Sequence, residues 1–161
     1  MQPGKTVIIG MGNALLRDDG VGIAVARELN RRLATSADID VLELETGGIR
    51  LMEAMVGYRQ AYVVDAMVTG TNAPGLVRPF ALSEIITTKN TYSSHDTDFC
   101  TALEMGRLLG LTLPDAISIW GIEAADVETF GESLSPSVQS AVPRVVEEIL
   151  QEIARSKETN G

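Results

Sequence analysis

Cysteine, histidine and tryptophan each occur once in this chain, as Cys100, His95 and Trp120, and aromatic residues make up only 4% of it. A lone cysteine excludes an internal disulfide and fits a reducing compartment. Basic residues are also scarce, 13 against 22 acids, for a net charge of −9. That balance argues against phosphate backbones and anionic lipid surfaces as the main partner, because both need clustered Lys and Arg. Long apolar runs are missing too. The opening MQPGKTVIIG is too short in its apolar part for a signal peptide, and nothing approaches the roughly eighteen residues of a membrane span. The expectation is a cytoplasmic protein without repeats or low-complexity segments.

What is present is enough for one core. At 161 residues and 45% apolar composition, the chain reads as a single domain, 1–161, that buries about two thirds of its unfolded surface. The run VIIGMGNALLRDDGVG, Val7 to Gly22, sets the pattern: a β-branched strand ending at Gly10, a Gly-x-Gly-Asn turn, then Asp18 and Asp19 before a helix. Val21, Val25, Leu29 and Leu33 place that helix over about Gly20 to Ala34, with Asp18 or Asp19 as its cap. Asp38 to Glu45 reads as a second strand nearer a sheet edge, Ile49 to Val56 as a short helix closed by Gly57, and Gln60 to Met67 as a third strand carrying Asp65.

Leu76 to Phe80 is a fourth strand, expected to pair antiparallel with the third because only a turn separates them. Ser83 to Ser94 reads as a long loop of the functional kind. Asp98 to Leu109 is a helix stopped by Gly110, with Cys100 expected near its apolar face and inert. Ala116 to Ile122 is the last strand. Ser135 and Pro136 open a final helix whose apolar stripe runs through Val138, Val142, Val145, Ile149 and Ile153. The tail, 155–161, is expected to fray. Strands alternating with helices at these lengths give an α/β fold: a three-layer sandwich in which a twisted, mostly parallel sheet of about five strands is covered by helices on both faces.

Three side chains that bind metals share an address in this layout: Asp19 after the first strand, Asp65 at the carboxyl end of the third, and His95 at the end of the long loop. Two carboxylates and an imidazole suit a first-row divalent ion such as nickel or zinc. The simpler reading of each stays beside it: Asp19 as a helix cap, Asp65 as a strand-end acid bonded to loop amides, His95 as a surface residue. Gly10 and Gly12 match the first two glycines of a dinucleotide fingerprint, but Leu15 stands at the third, so nucleotide binding ranks low.

GMGNALLRDDGVG at Gly10 to Gly22, VVDAM at Val63 to Met67 with NAPG at Asn72 to Gly75, SSHD at Ser93 to Asp96, and GIE at Gly121 to Glu123 with GESLSP at Gly131 to Pro136 resemble, in this order, the nickel-iron hydrogenase maturation endopeptidases. The resemblance runs from Val7 to about Leu150. It implies a protease that removes a short C-terminal extension from the precursor of the hydrogenase large subunit, with that precursor as its partner; a monomer is a separate expectation. Position by position it implies that Asp19, Asp65 and His95 contact the metal, with Asp65 and Asp19 as the catalytic acids. Two routes to cleavage stay open: the metal polarises the scissile carbonyl or lowers the pKa of a bound water, or an aspartate acts as general base on water, with Asp65 preferred. Asp18 and Asp96 are candidates for orienting the ligands. Nickel, delivered largely by the substrate, is the implied cofactor, with zinc or cadmium as stand-ins in vitro.

The family often has Glu at the Asp19 position, which shortens the reach here. It has proline where Ala124 stands, which leaves that loop less rigid. Thr46, Gly47 and Gly48 match a glycine-containing segment near the family's cleft. The rival functions are a non-cleaving adaptor that docks a metalloprotein precursor and a nucleotide hydrolase or dinucleotide binder on a similar sheet.

Overall fold

The computed structural model describes residues 4–81 and 98–159. Its sheet is built from β1 (Thr6–Met11), β2 (Ile39–Leu44), β3 (Gln60–Met67), β4 (Val77–Ala81) and β5 (Ala116–Glu123) in the order β2-β1-β3-β5-β4. All neighbours run parallel except β4, which is antiparallel to β5. The helices are α1 (Val21–Arg32), α2 (Ile49–Ala54), α3 (Phe99–Leu108) and α4 (Pro136–Thr159).

Side-chain alternation along the strands divides the core into two layers. Ile8, Tyr62, Val64, Trp120 and Ile122 point to the face covered by Val25 and Leu29 of α1 and by Val138, Val145 and Ile149 of α4. Val7, Ile9, Met11, Val63 and Ile119 point to the other, under Leu51 and Met52 of α2 and Phe99 and Leu103 of α3. The expected three-layer α/β sandwich is therefore the observed one, with five strands. Among the described residues no helix is long and apolar enough to cross a membrane.

Three expectations fail, each for a tertiary reason. β4 does not pair with β3; it pairs with β5, Phe80 opposite Ile119 and Val77 opposite Ile122, and so forms the sheet edge beyond it. The tail does not fray at 155, since α4 continues to Thr159. Gln60 Nε2 donates to Ser156 Oγ at 3.1 Å, and Lys157 Nζ lies 3.0 Å from Asp38 Oδ2, tying the last turns to the sheet's lower rim. Neither Asp18 nor Asp19 caps α1: both sit in a single 3-10 turn, Arg17–Gly20, and Gly20 is the cap residue, with no side-chain cap bond.

The helix α1 lies flush on the sheet because two glycines allow it. A Cβ on Gly22 would collide with the carbonyl oxygens of Val64 and Met11, and one on Gly10 would sit 2.6 Å from the Ala26 Cβ.

Candidate functional site

Strand order locates the crevice. The chain leaves β1 towards β2 on one side and leaves β3 towards β4 and β5 on the other. The carboxyl ends of β1 and β3 are thus a topological switch point, where loops diverge and ligands of open α/β sheets bind. Asp19 follows β1 and Asp65 lies on β3, so the fold brings two of the three predicted site residues to this one place.

Local chemistry builds the Asp19 turn. Gly12, at φ +133°, swings the chain out of β1. Asn13 then closes a side-chain turn, its Oδ1 accepting from Leu15 N at 2.9 Å. The Asn13 N–H donates to Asp19 Oδ2 at 3.0 Å, which fixes one oxygen of the carboxylate. Asp19 is 2% exposed and Asp65 is fully buried. Asp65 pairs in register with Gly121 of β5, one residue beyond the last β1–β3 pair, Gly10 with Val64. It lies near the carboxyl end of β3, in the region where β1 stops at Met11 and the chain turns away through Gly12.

Two further buried acids shape the rim. Asp18 is fully buried. Its Oδ2 accepts from Ala125 N and Asp126 N, each at 2.9 Å, and its Oδ1 from Ser135 N at 2.7 Å. Burial pushes this carboxyl up, but the Ser135, Asp126 and Ala125 donors outweigh burial and hold it below the ordinary carboxylate value. Glu123, 2% exposed, accepts from Thr69 N at 3.1 Å and from the Thr69 hydroxyl. That hydroxyl in turn accepts from Thr71 N and Asn72 Nδ2, each at 3.2 Å, so Glu123 organises the turn after β3.

The Asp18 staple carries a prediction. Asp18→Asn turns one acceptor into a donor facing amide N–H groups, which is expected to cost about 2 kcal/mol and to lower Tm by roughly 4–8 °C. Because its folded pKa is lowered, Asp18's contribution is complete above the unfolded value near 3.8 and is lost as pH falls through the folded one. The Tm gap between wild type and Asp18→Asn is thus expected to hold at neutral pH and to narrow only in acid. Thermal melts across pH check it.

Of the predicted site residues, His95 lies outside the described residues, as do Asp96 and the SSHD motif. Among the described residues no group of three or more His, Cys, Asp or Glu side chains is placed to hold a metal ion. Carboxylates such as those of Asp19 and Asp65 are the donor type that hard divalent cations take. Cys100, expected on the buried face of its helix, is exposed. Phe99, Ala102, Leu103 and Gly106 make the buried stripe, and Cys100 falls beside it. Ala124 does not loosen its loop: its N–H donates to Met67 O at 3.0 Å, a bond proline would lack.

Sequence reasoning missed the turn-organising role of Glu123 and the loop-stapling role of Asp18. The signal for Glu123 was an acid continuing the register of an apolar strand. Asp18 gave none, because its partners lie 107 to 117 residues away.

Comparison with known proteins bears on this geometry. A family model described as hydrogenase maturation protease matches residues 23–152. The hydrogenase 2 maturation protease of Escherichia coli K12 is 24% identical over 94% of this chain and 92% of its own length. A hydrogenase expression/formation protein HupD of Bradyrhizobium diazoefficiens is 26% identical over 95% of this chain and 80% of its own. Among solved structures, the hydrogenase maturating endopeptidase HybD from Escherichia coli superposes with a TM-score of 0.72 at 22% identity, covering 94% of this chain and 93% of that one. The maturation protease HybD from Thermococcus kodakarensis superposes at 0.64 with 25% identity, covering 93% and 99%.

Proposed function

This chain belongs to the hydrogenase maturation protease family, and we propose that it removes a C-terminal extension from the nickel-loaded precursor of a nickel-iron hydrogenase large subunit. The observation that carries this reading is the pair of buried carboxylates, Asp19 and Asp65, delivered to one switch point by the β1–α1 turn and by β3. In the reading, Asp65 takes a proton from a water that attacks the scissile carbonyl. The C–N bond then breaks, and that proton leaves with the new amine. Asp19 is held through one carboxylate oxygen by the Asn13 amide.

Nickel enters as part of the substrate, already seated in the precursor. Asp19, Asp65 and His95 would complete its coordination, zinc or cadmium serving as substitutes in vitro. Docking then becomes tight only once metal insertion is finished. Such gating requires a difference in affinity, and about 2.8 kcal/mol suffices for a hundredfold preference. We place the enzyme in the cytoplasm as a monomer, in keeping with its single, exposed cysteine.

Incubation of nickel-loaded and metal-free precursor with the protein, followed by intact mass, tests the reading. Loss of a C-terminal peptide from the nickel-loaded form alone is expected. Equal cleavage of the metal-free form would remove the nickel requirement. An uncut precursor held in a stable complex would instead make the protein a docking adaptor.

A further inference from the structure

The β1–α1 and β5–α4 loops are joined more tightly than either needs for its own turn. Beyond the three bonds to the Asp18 carboxylate, Asp18 N donates to Asp126 O at 2.9 Å, Arg17 N to Thr129 O at 3.1 Å, Gly131 N to Leu15 O at 2.9 Å and Arg17 Nε to Ser133 O at 3.2 Å. Leu16 and Phe130 pair as an isolated antiparallel bridge. The result is a braced clasp, and its outer surface is apolar: Leu15 is 56% and Phe130 82% exposed. A phenylalanine this open gives little to the core, yet backbone bonds on both sides of it hold its position.

The clasp is continuous with the candidate site. Leu15 N rests on Asn13 Oδ1, and Asn13 N rests on Asp19 Oδ2, so the apolar tip and the acid share one turn. Beside them the same turn backs a recess of about 410 Å³, lined by the apolar Leu15, Ile23 and Leu134 and by the charged Arg17, Arg27 and Glu132. A second exposed apolar group, Met105, Leu108 and Leu109, ends α3. It lies towards the amino ends of the strands, where Gly57 N and Asp115 N bond to Thr112 O and Arg59 O, and so belongs to the opposite end of the sheet from Asp19 and Asp65.

We infer that the clasp is the docking rim for the protein substrate: Leu15 and Phe130 grip an extended apolar stretch of the precursor near its cleavage point, and the neighbouring recess takes one of its side chains. The inference rests on the cleavage reading above. It commits to the precursor because the turn that presents Leu15 is the one that holds Asp19 through the Asn13 amide. The staple on Asp18 fixes the spacing of the two anchors before substrate arrives, so little ordering is left to do on binding.

Steady-state cleavage of nickel-loaded precursor by wild type, Leu15→Ser, Phe130→Ser and the double variant tests it, with Leu108→Ser as control. Both anchors are exposed, so Tm is expected to stay within a degree or two. Phe130→Ser is expected to raise KM about tenfold or more at a kcat within about twofold of wild type. The double variant raises KM further, Phe130→Leu restores most of the loss, and Leu108→Ser matches wild type.

Unchanged KM in both anchor variants, or a fall in kcat at unchanged KM, overturns the docking rim while leaving cleavage standing. So does a dimer of the protein alone that Phe130→Ser converts to monomer, since the patch would then serve self-association. If wild type binds the precursor without cutting it, and Phe130→Ser abolishes that binding, the rim stands and the cleavage reading falls.

Discussion

Asp65→Ala is expected to leave nickel-loaded precursor uncut on the timescale in which wild type processes it completely, a loss of about a thousandfold or more. Asp65 is buried near the carboxyl end of β3, and in the proposed reaction it receives the proton of the attacking water. Asp65→Asn is the sharper variant, because it keeps the shape and hydrogen-bonding size of the side chain but removes the base. Asp19→Ala is expected to match it, with the added loss of the acceptor that holds Asn13 N. Intact mass of the precursor after incubation reads both, and circular dichroism separates a missing base from a misfolded chain. Full-rate cleavage by Asp65→Asn would transfer the proton step to another group.

The second large effect lies on the structural side. Gly22→Ala is expected to lower stability by about 3 kcal/mol or more, since overpacking against rigid atoms has no inexpensive relaxation. The added methyl meets backbone carbonyls of Val64 and Met11 rather than the end of a flexible side chain, so α1 must lift from the sheet. For a chain of this size that corresponds to a Tm fall of roughly 6–12 °C. Because Val64 precedes Asp65 and α1 follows Asp19, the displacement also separates the two acids, and cleavage is expected to drop even below the melting range. Gly70→Ala is the matching control: its methyl would meet nothing, and only the strain of its φ of +71° remains. A thermal melt and a cleavage assay on each variant check the pair.

Much of this was legible in the residues themselves. The β-branched runs of β1 and β3 and the fourfold spacing in α1 and α4 fix element types by period, and alternation with helices fixes parallel pairing. From there the carboxyl ends of β1 and β3 follow, and with them the addresses of Asp19 and Asp65. What escaped was set by contacts between distant parts of the chain. β4 follows β3 after a turn, and adjacency in sequence favoured the wrong neighbour; only β5, arriving later, offers Ile119 and Ile122 for pairing. Asp18 read as a helix cap because capping is the commonest local use of such an acid, yet the amides it accepts belong to a loop that local pattern does not connect to it. Cys100, read as near the apolar face of α3 and buried, is exposed because it sits one residue, about a hundred degrees of helix, from the buried Phe99. The 155–159 turn looked like solvent-facing charge, whereas Lys157 meets Asp38 across the sheet's end.

The long reach of the Asp18 carboxylate has a consequence for biosynthesis. Its farthest amide partner, Ser135, is 117 positions downstream. A ribosome that has already released β1, α1 and β3 has therefore delivered both acids but not the brace that steadies them. The emerging polypeptide is expected to remain proteolytically silent until the start of α4 has cleared the exit tunnel.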